Sequence, residues 1–143
     1  MKPGVTLFFI RHGQTSWNKD RRIQGQIDSD LNDTGRQQAA RNGQTLRSLS
    51  GELGIDLDTL DYVASPLKRT DETMQIVREN AGLARTGYRS DDRLKEIHFG
   101  AWQGKYWPKI PTDDPDGQAR RDADPFNWRP ENGDSYADLT ARC

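Results

Sequence analysis

One cysteine, two histidines and few apolar residues set the first limits on this 143-residue chain. The single cysteine is the last residue, Cys143, so an internal disulfide is impossible and nothing marks the thiol as catalytic. Two histidines without a cysteine pair match no zinc-ligand spacing, so neither a metal site nor any other cofactor is expected. Charge of one sign is also lacking. The chain carries 21 Lys and Arg against 22 Asp and Glu, a net charge of -1, with a pI near 6.1. That balance gives no bulk attraction to nucleic acid or to a membrane surface, and neither is an expected partner. Long apolar runs are missing too. The N-terminal one is short and ends at Arg11, whereas a secretory core needs about 7–15 apolar residues and a bilayer span about 20. A cytoplasmic location is the expectation. Hydrophobic residues make up 32% of the chain and mean hydropathy is -1.00. Counting the 13 glycines brings the apolar share to roughly 41%, against about 45–50% in globular domains. The shortfall predicts that apolar strands are missing. Without repeats or a linker, residues 1–143 read as one domain.

What is present alternates between two periods. Val5-Thr6-Leu7-Phe8-Phe9-Ile10 reads as a buried strand. Arg11-His12-Gly13 follows at its carboxyl end, where ligands bind in open α/β sheets, and a polar loop runs on to Asp30. Leu31-Asn32-Asp33-Thr34 offers N-cap chemistry. Ala39, Ala40, Gly43, Leu46 and Leu49 then recur at helical spacing, and Gly51 and Gly54 end that helix. Leu60 to Ala64 reads as a second strand, broken by Ser65-Pro66. A second helix carries Met74, Val77 and Ala81 on one face, with Gly82 as its stop. Between Lys105 and Arg129, rich in proline, aspartate and arginine, the prediction is loop or short helix. Asp134-Ser135 is placed to cap a last helix from Tyr136. Alternating strands and helices predict a parallel sheet in an α/β fold.

Five segments in order resemble the histidine phosphatase superfamily, which includes the phosphoglycerate mutases. They are Phe9 to Asn18, Asp28 to Gly35, Ser65 to Thr70, Leu94 to Gly104 and Trp128 to Ser135. The resemblance implies a three-layer α/β sandwich with a mostly parallel sheet. It implies that His12 attacks phosphorus and becomes a phosphohistidine, a role open to a neutral imidazole at physiological pH. Arg11 and Arg69 would grip the phosphoryl oxygens. Asn18 would donate to phosphate, and Gln24 and Gly25 would border the pocket. Glu96 would be the general acid and then the base for water. That role needs a carboxyl that keeps its proton near neutral pH, which burial and phosphate charge would favour. His98 would belong to the pocket wall. Trp17, Trp102, Trp107 and Trp128 are candidates for the same wall or for the core.

The family also places a second histidine in a later histidine-glycine motif, and only His12 and His98 occur here. The expectation is therefore the larger, N-terminal part of a family member, with the C-terminal part missing and the phosphate cage half built. The resemblance implies a metal-independent phosphomonoester hydrolase acting on a phosphorylated small molecule. The alternatives are a phosphoglycerate mutase and a non-catalytic module that binds a phospho-ligand.

Overall fold

The computed structural model describes residues 4–143. Its centre is a pair of helices. A one-turn helix, α1 (Ser16–Lys19), lies in the loop after His12 and is closed by a capping box between Thr15 and Asn18. The long helix α2 (Asp33–Leu53) begins where Asn32 accepts a hydrogen bond from the Gly35 amide and ends at Gly54, which is left-handed at φ 65°. Helix α3 (Lys68–Asn80) follows the break at Ser65-Pro66. Ala39 and Leu46 of α2 pack on Val77 of α3 and on Ala81 just beyond it, with Phe8, Leu57, Tyr62 and Ile76 at the margin. Gly43 sits between them, because a Cβ there would run into the Val77 carbonyl.

The α/β class with a parallel sheet stands. Strand β1 (Val63–Ala64) pairs in parallel with β2 (Arg89–Ser90), Val63 opposite Arg89 and Ala64 opposite Ser90. The expected first strand is a correction. Residues 5–10 join no ladder among the described residues. Val5, Leu7 and Phe9 are 95%, 82% and 89% exposed. Phe8, by contrast, is partly buried and rests against the helix-pair core. The apolar alternation is real, but a strand is defined by a partner, and the two short strands present pair with each other. A groove of about 410 Å³ separates this segment from Asn42, Thr45, Leu46 and Leu49 of α2. Leu49, expected on the apolar helix face, is 40% exposed there.

A second core gathers the later part of the chain. Ile23, Trp102 and Ile110 are buried together, flanked by Phe99, Trp107 and Trp128. The polar stretch after Lys105 forms short helices, α4 (Ile110–Asp113) and α5 (Pro115–Ala123). The Trp102 indole N–H donates to Asp114 at 2.7 Å, and Asp114 also caps α5 through the Gly117 amide. The last helix, α6 (Tyr136–Arg142), starts at the Ser135 cap, with Asp138 completing a capping box. Among the described residues, no helix is long and apolar enough to cross a membrane.

Candidate active site

His12 is half-buried, two residues beyond the N-terminal apolar segment. Its Nδ1 lies 2.7 Å from the Gly13 carbonyl oxygen. A carbonyl can only accept, so Nδ1 carries the proton and Nε2 keeps its lone pair. Burial pushes the imidazole below its ordinary value. The Gly13 hydrogen bond opposes this, the guanidinium groups of Arg69 and Arg11 add to it, and Glu96 opposes it. The ring is therefore neutral at pH 7, with one nitrogen pinned and the other left with its lone pair. Gly13 is held on two sides. Its amide donates to the Thr73 hydroxyl of α3 at 3.2 Å. On the other side a Cβ would overlap the Gly35 backbone in the first turn of α2, so only glycine lets these chains approach so closely.

Arg69 lies in the first turn of α3 and is 1% exposed. Its guanidinium donates to the Ile27 carbonyl at 3.1 Å and to the Gly25 carbonyl at 2.8 Å. Its Nε is buried without a partner. Burial lowers its pKa, while Glu96 and Asp28 raise it through charge alone. No carboxylate among the described residues forms an ion pair with it. The buried cation is thus met directly only by carbonyls, without a counter-charge in contact. Asp28 accepts from the Lys68 amide at 3.0 Å and so caps α3, whose own cap residue, Leu67, has no side-chain acceptor.

The loop between His12 and α2 carries the expected polar groups. Thr15 is fully buried and donates to the Gln24 side-chain oxygen at 2.6 Å. The Ser29 hydroxyl donates to the same oxygen. The Asn18 side-chain oxygen accepts from the Thr15 amide at 3.2 Å. Each amide oxygen is thus committed to holding the loop, while the amide nitrogens of Asn18 and Gln24 meet no protein acceptor among the described residues. Gly25 is left-handed at φ 53°, and a Cβ there would overlap the Gln103 side chain. Arg11 is exposed.

Glu96 is also exposed, so the burial expected of it is not found. One of its oxygens accepts from the Ile97 amide at 2.9 Å, and its backbone carbonyl is held by the Gln26 side chain at 2.9 Å. Its charge is felt at both His12 and Arg69. His98 is tied into its own loop: its Nδ1 accepts from the Gly100 amide at 3.1 Å, and its backbone amide donates to Asp134 at 3.2 Å. Trp102, Trp107 and Trp128 belong to the second core. Trp17 instead lies under the Arg22 guanidinium, 4.1 Å from its ring centre. No group of three or more His, Cys, Asp or Glu among the described residues is arranged to hold a metal.

Sequence reasoning missed Thr73, Gly35 and Gln103. Thr73 stands one helical turn after Arg69, an i,i+4 spacing that places both on one face. Gln103 lies inside the Leu94–Gly104 segment, where its side chain accepts from the Gln26 amide at 2.8 Å. For Gly35, the cap sequence Asn32-Asp33-Thr34-Gly35 signalled a helix start, but nothing in it signalled the contact with Gly13.

Comparison with known proteins adds to this geometry. Residues 7–143 match the profile described as histidine phosphatase superfamily (branch 1). A glucosyl-3-phosphoglycerate phosphatase of Mycobacterium tuberculosis is 36% identical over 138 residues, covering 95% of this chain and 56% of that protein. Phosphoglycerate mutase-like protein 4 of Arabidopsis thaliana is 37% identical over 142 residues, 96% of this chain and 56% of that one. A solved structure of mycobacterial glucosyl-3-phosphoglycerate phosphatase with VO3 superposes with a TM-score of 0.74 at 36% identity, covering 92% of this chain and 59% of that one. The chain thus spans somewhat more than half the length of these relatives.

Proposed function

Because the chain belongs to the histidine phosphatase superfamily, branch 1, we propose that it serves a cytoplasmic, metal-independent phosphomonoester hydrolase that works through a phosphohistidine. The observation that carries the reading is the His12 ring, neutral, with Nδ1 bonded to the Gly13 carbonyl and Nε2 left with its lone pair. In the first step Nε2 forms a bond to phosphorus and the ester P–O bond breaks. Arg69, through its unpartnered Nε, and Arg11 stabilise the charge on the phosphoryl oxygens, with the amide nitrogens of Asn18 and Gln24 as neutral donors. Glu96 gives its proton to the departing oxygen. In the second step Glu96 takes a proton from water, the water oxygen bonds to phosphorus, and the N–P bond breaks to release inorganic phosphate. Gly25 borders this pocket with its carbonyl on Arg69.

The mycobacterial relatives named for glucosyl-3-phosphoglycerate support a substrate in which the phosphate sits on a small, polar, acidic alcohol. A second reading, transfer of the phosphoryl group to another hydroxyl, is favoured by the plant relative named as phosphoglycerate mutase-like. The test is mixing with an aryl phosphate, with and without phosphoglycerates. Acid-labile, base-stable phosphate on the chain, lost in His12→Ala, is expected, together with free inorganic phosphate as product. Isomerised phosphoglycerate without inorganic phosphate would select the mutase. Bound phosphate without labelling of the protein would leave a binding module.

A further inference from the structure

Within the proposed phosphoryl-transfer reading, we infer that Thr73 is a positioning residue that sets the His12 tautomer and ties the nucleophile to the helix that carries Arg69. Gly13 links the two through the successive peptide units that meet at its Cα. Its carbonyl accepts from His12 Nδ1 at 2.7 Å, and that bond decides which imidazole nitrogen stays free. Its amide donates to the Thr73 hydroxyl oxygen at 3.2 Å. The same hydroxyl donates to the Arg69 carbonyl at 2.6 Å. A hydroxyl has one proton to give. Once it points at the Arg69 carbonyl, a lone pair is left for the Gly13 amide, and the order of the chain is fixed from Gly13 through Thr73 to Arg69.

Burial makes the arrangement exclusive. Thr73 is 4% exposed, and Gly13 is buried with the Gly35 backbone pressed on its other side. Water has no room to replace the hydroxyl. Arg69 and Thr73 are separated by one turn of α3, so a single rigid turn carries both the cation for the phosphoryl group and the clamp on the nucleophile's peptide. A shift of α3 moves the two together and preserves their spacing. Arg69 itself is anchored to the Gly25 and Ile27 carbonyls, which gives the clamp a fixed frame.

The experiment compares the parent with Thr73→Val, Thr73→Ser and Thr73→Ala in the full 143-residue chain. The first readout is the nitrogen chemical shifts of the His12 imidazole at about pH 7.5, well above the ordinary imidazole value, which report the tautomer without any substrate. The parent and Thr73→Ser should hold the proton on Nδ1. Thr73→Val, which keeps the shape and removes the acceptor, should show mixed tautomers, and Thr73→Ala repeats the measurement if the valine variant does not fold. The second readout is turnover of an aryl phosphate. Thr73→Val should lower kcat about ten- to a hundredfold with little change in KM, the penalty expected of a misplaced reacting group, and serine should restore it. Unchanged tautomers in Thr73→Val and Thr73→Ala would overturn the inference. If the parent itself shows no turnover, the hydrolase reading fails while the tautomer comparison still decides the role of Thr73.

Discussion

Adding one methyl group at Gly13 and one at Gly51 should change stability in opposite directions. At Gly13 an alanine Cβ would lie 2.7 Å from the Gly35 carbonyl carbon and 2.8 Å from its Cα. Carbon atoms in contact prefer about 3.5–4.0 Å, so the backbones must part by roughly 1 Å. Neither side yields easily. Gly35 is in the first turn of α2, its amide held by Asn32 at 2.8 Å, and Gly13 is held by Thr73 at 3.2 Å. Overpacking of this kind costs about 1–3 kcal/mol, and a displacement of about 1 Å at a reacting group costs about a hundredfold in rate. Gly51, also in α2, is exposed, and a Cβ added there would meet nothing within 4 Å. Alanine at that position should stabilise by about 0.4–1 kcal/mol through the unfolded chain. Urea unfolding at constant m-value reads both changes, and the rate of histidine phosphorylation reads the first. Gly13→Ala within about 0.5 kcal/mol of the parent, with an unchanged phosphorylation rate, would refute the close approach of the His12 loop to α2.

Three further outcomes concern protons. The folded chain holds the His12 pKa below the ordinary 6.5, mainly by burial, so between the two values the unfolded chain binds more protons. His12 therefore contributes stability that is present above pH 6.5 and lost as pH falls through the folded value. Subtracting the stability profile of His12→Asn should isolate this loss on the acid side, and a difference that shrinks as pH rises instead would contradict the burial argument. The acid limb of kcat/KM should likewise lie below pH 6.5. Glu96→Gln should slow alkyl phosphates, which need a proton on the leaving oxygen, far more than activated aryl phosphates. Equal losses on the two substrates would assign Glu96 a structural role.

Features set by short-range chemistry were legible in the residues alone. The Asn32 and Ser135 side chains accept from amides three residues on, Gly54 supplies the left-handed stop, and apolar spacing selects the faces of α2 and α3. The order of the motifs likewise points to the family, because it is carried by the residues themselves. Tertiary structure decided the rest. Val5 to Ile10 has every local mark of a strand, but pairing requires a neighbour elsewhere in the chain, and in the described residues the ladder lies between Val63–Ala64 and Arg89–Ser90. Glu96 reads as a buried acid in its motif and stands exposed. Gly13 meets Thr73 across 60 residues, Arg69 meets Gly25 across 44, and Gln26 meets Gln103 across 77. Local preference says nothing about which of many buried hydroxyls or carbonyls will face a given amide. That choice follows from how α2 and α3 pack, and it converts a legible His-Gly pair into an imidazole with one defined free nitrogen.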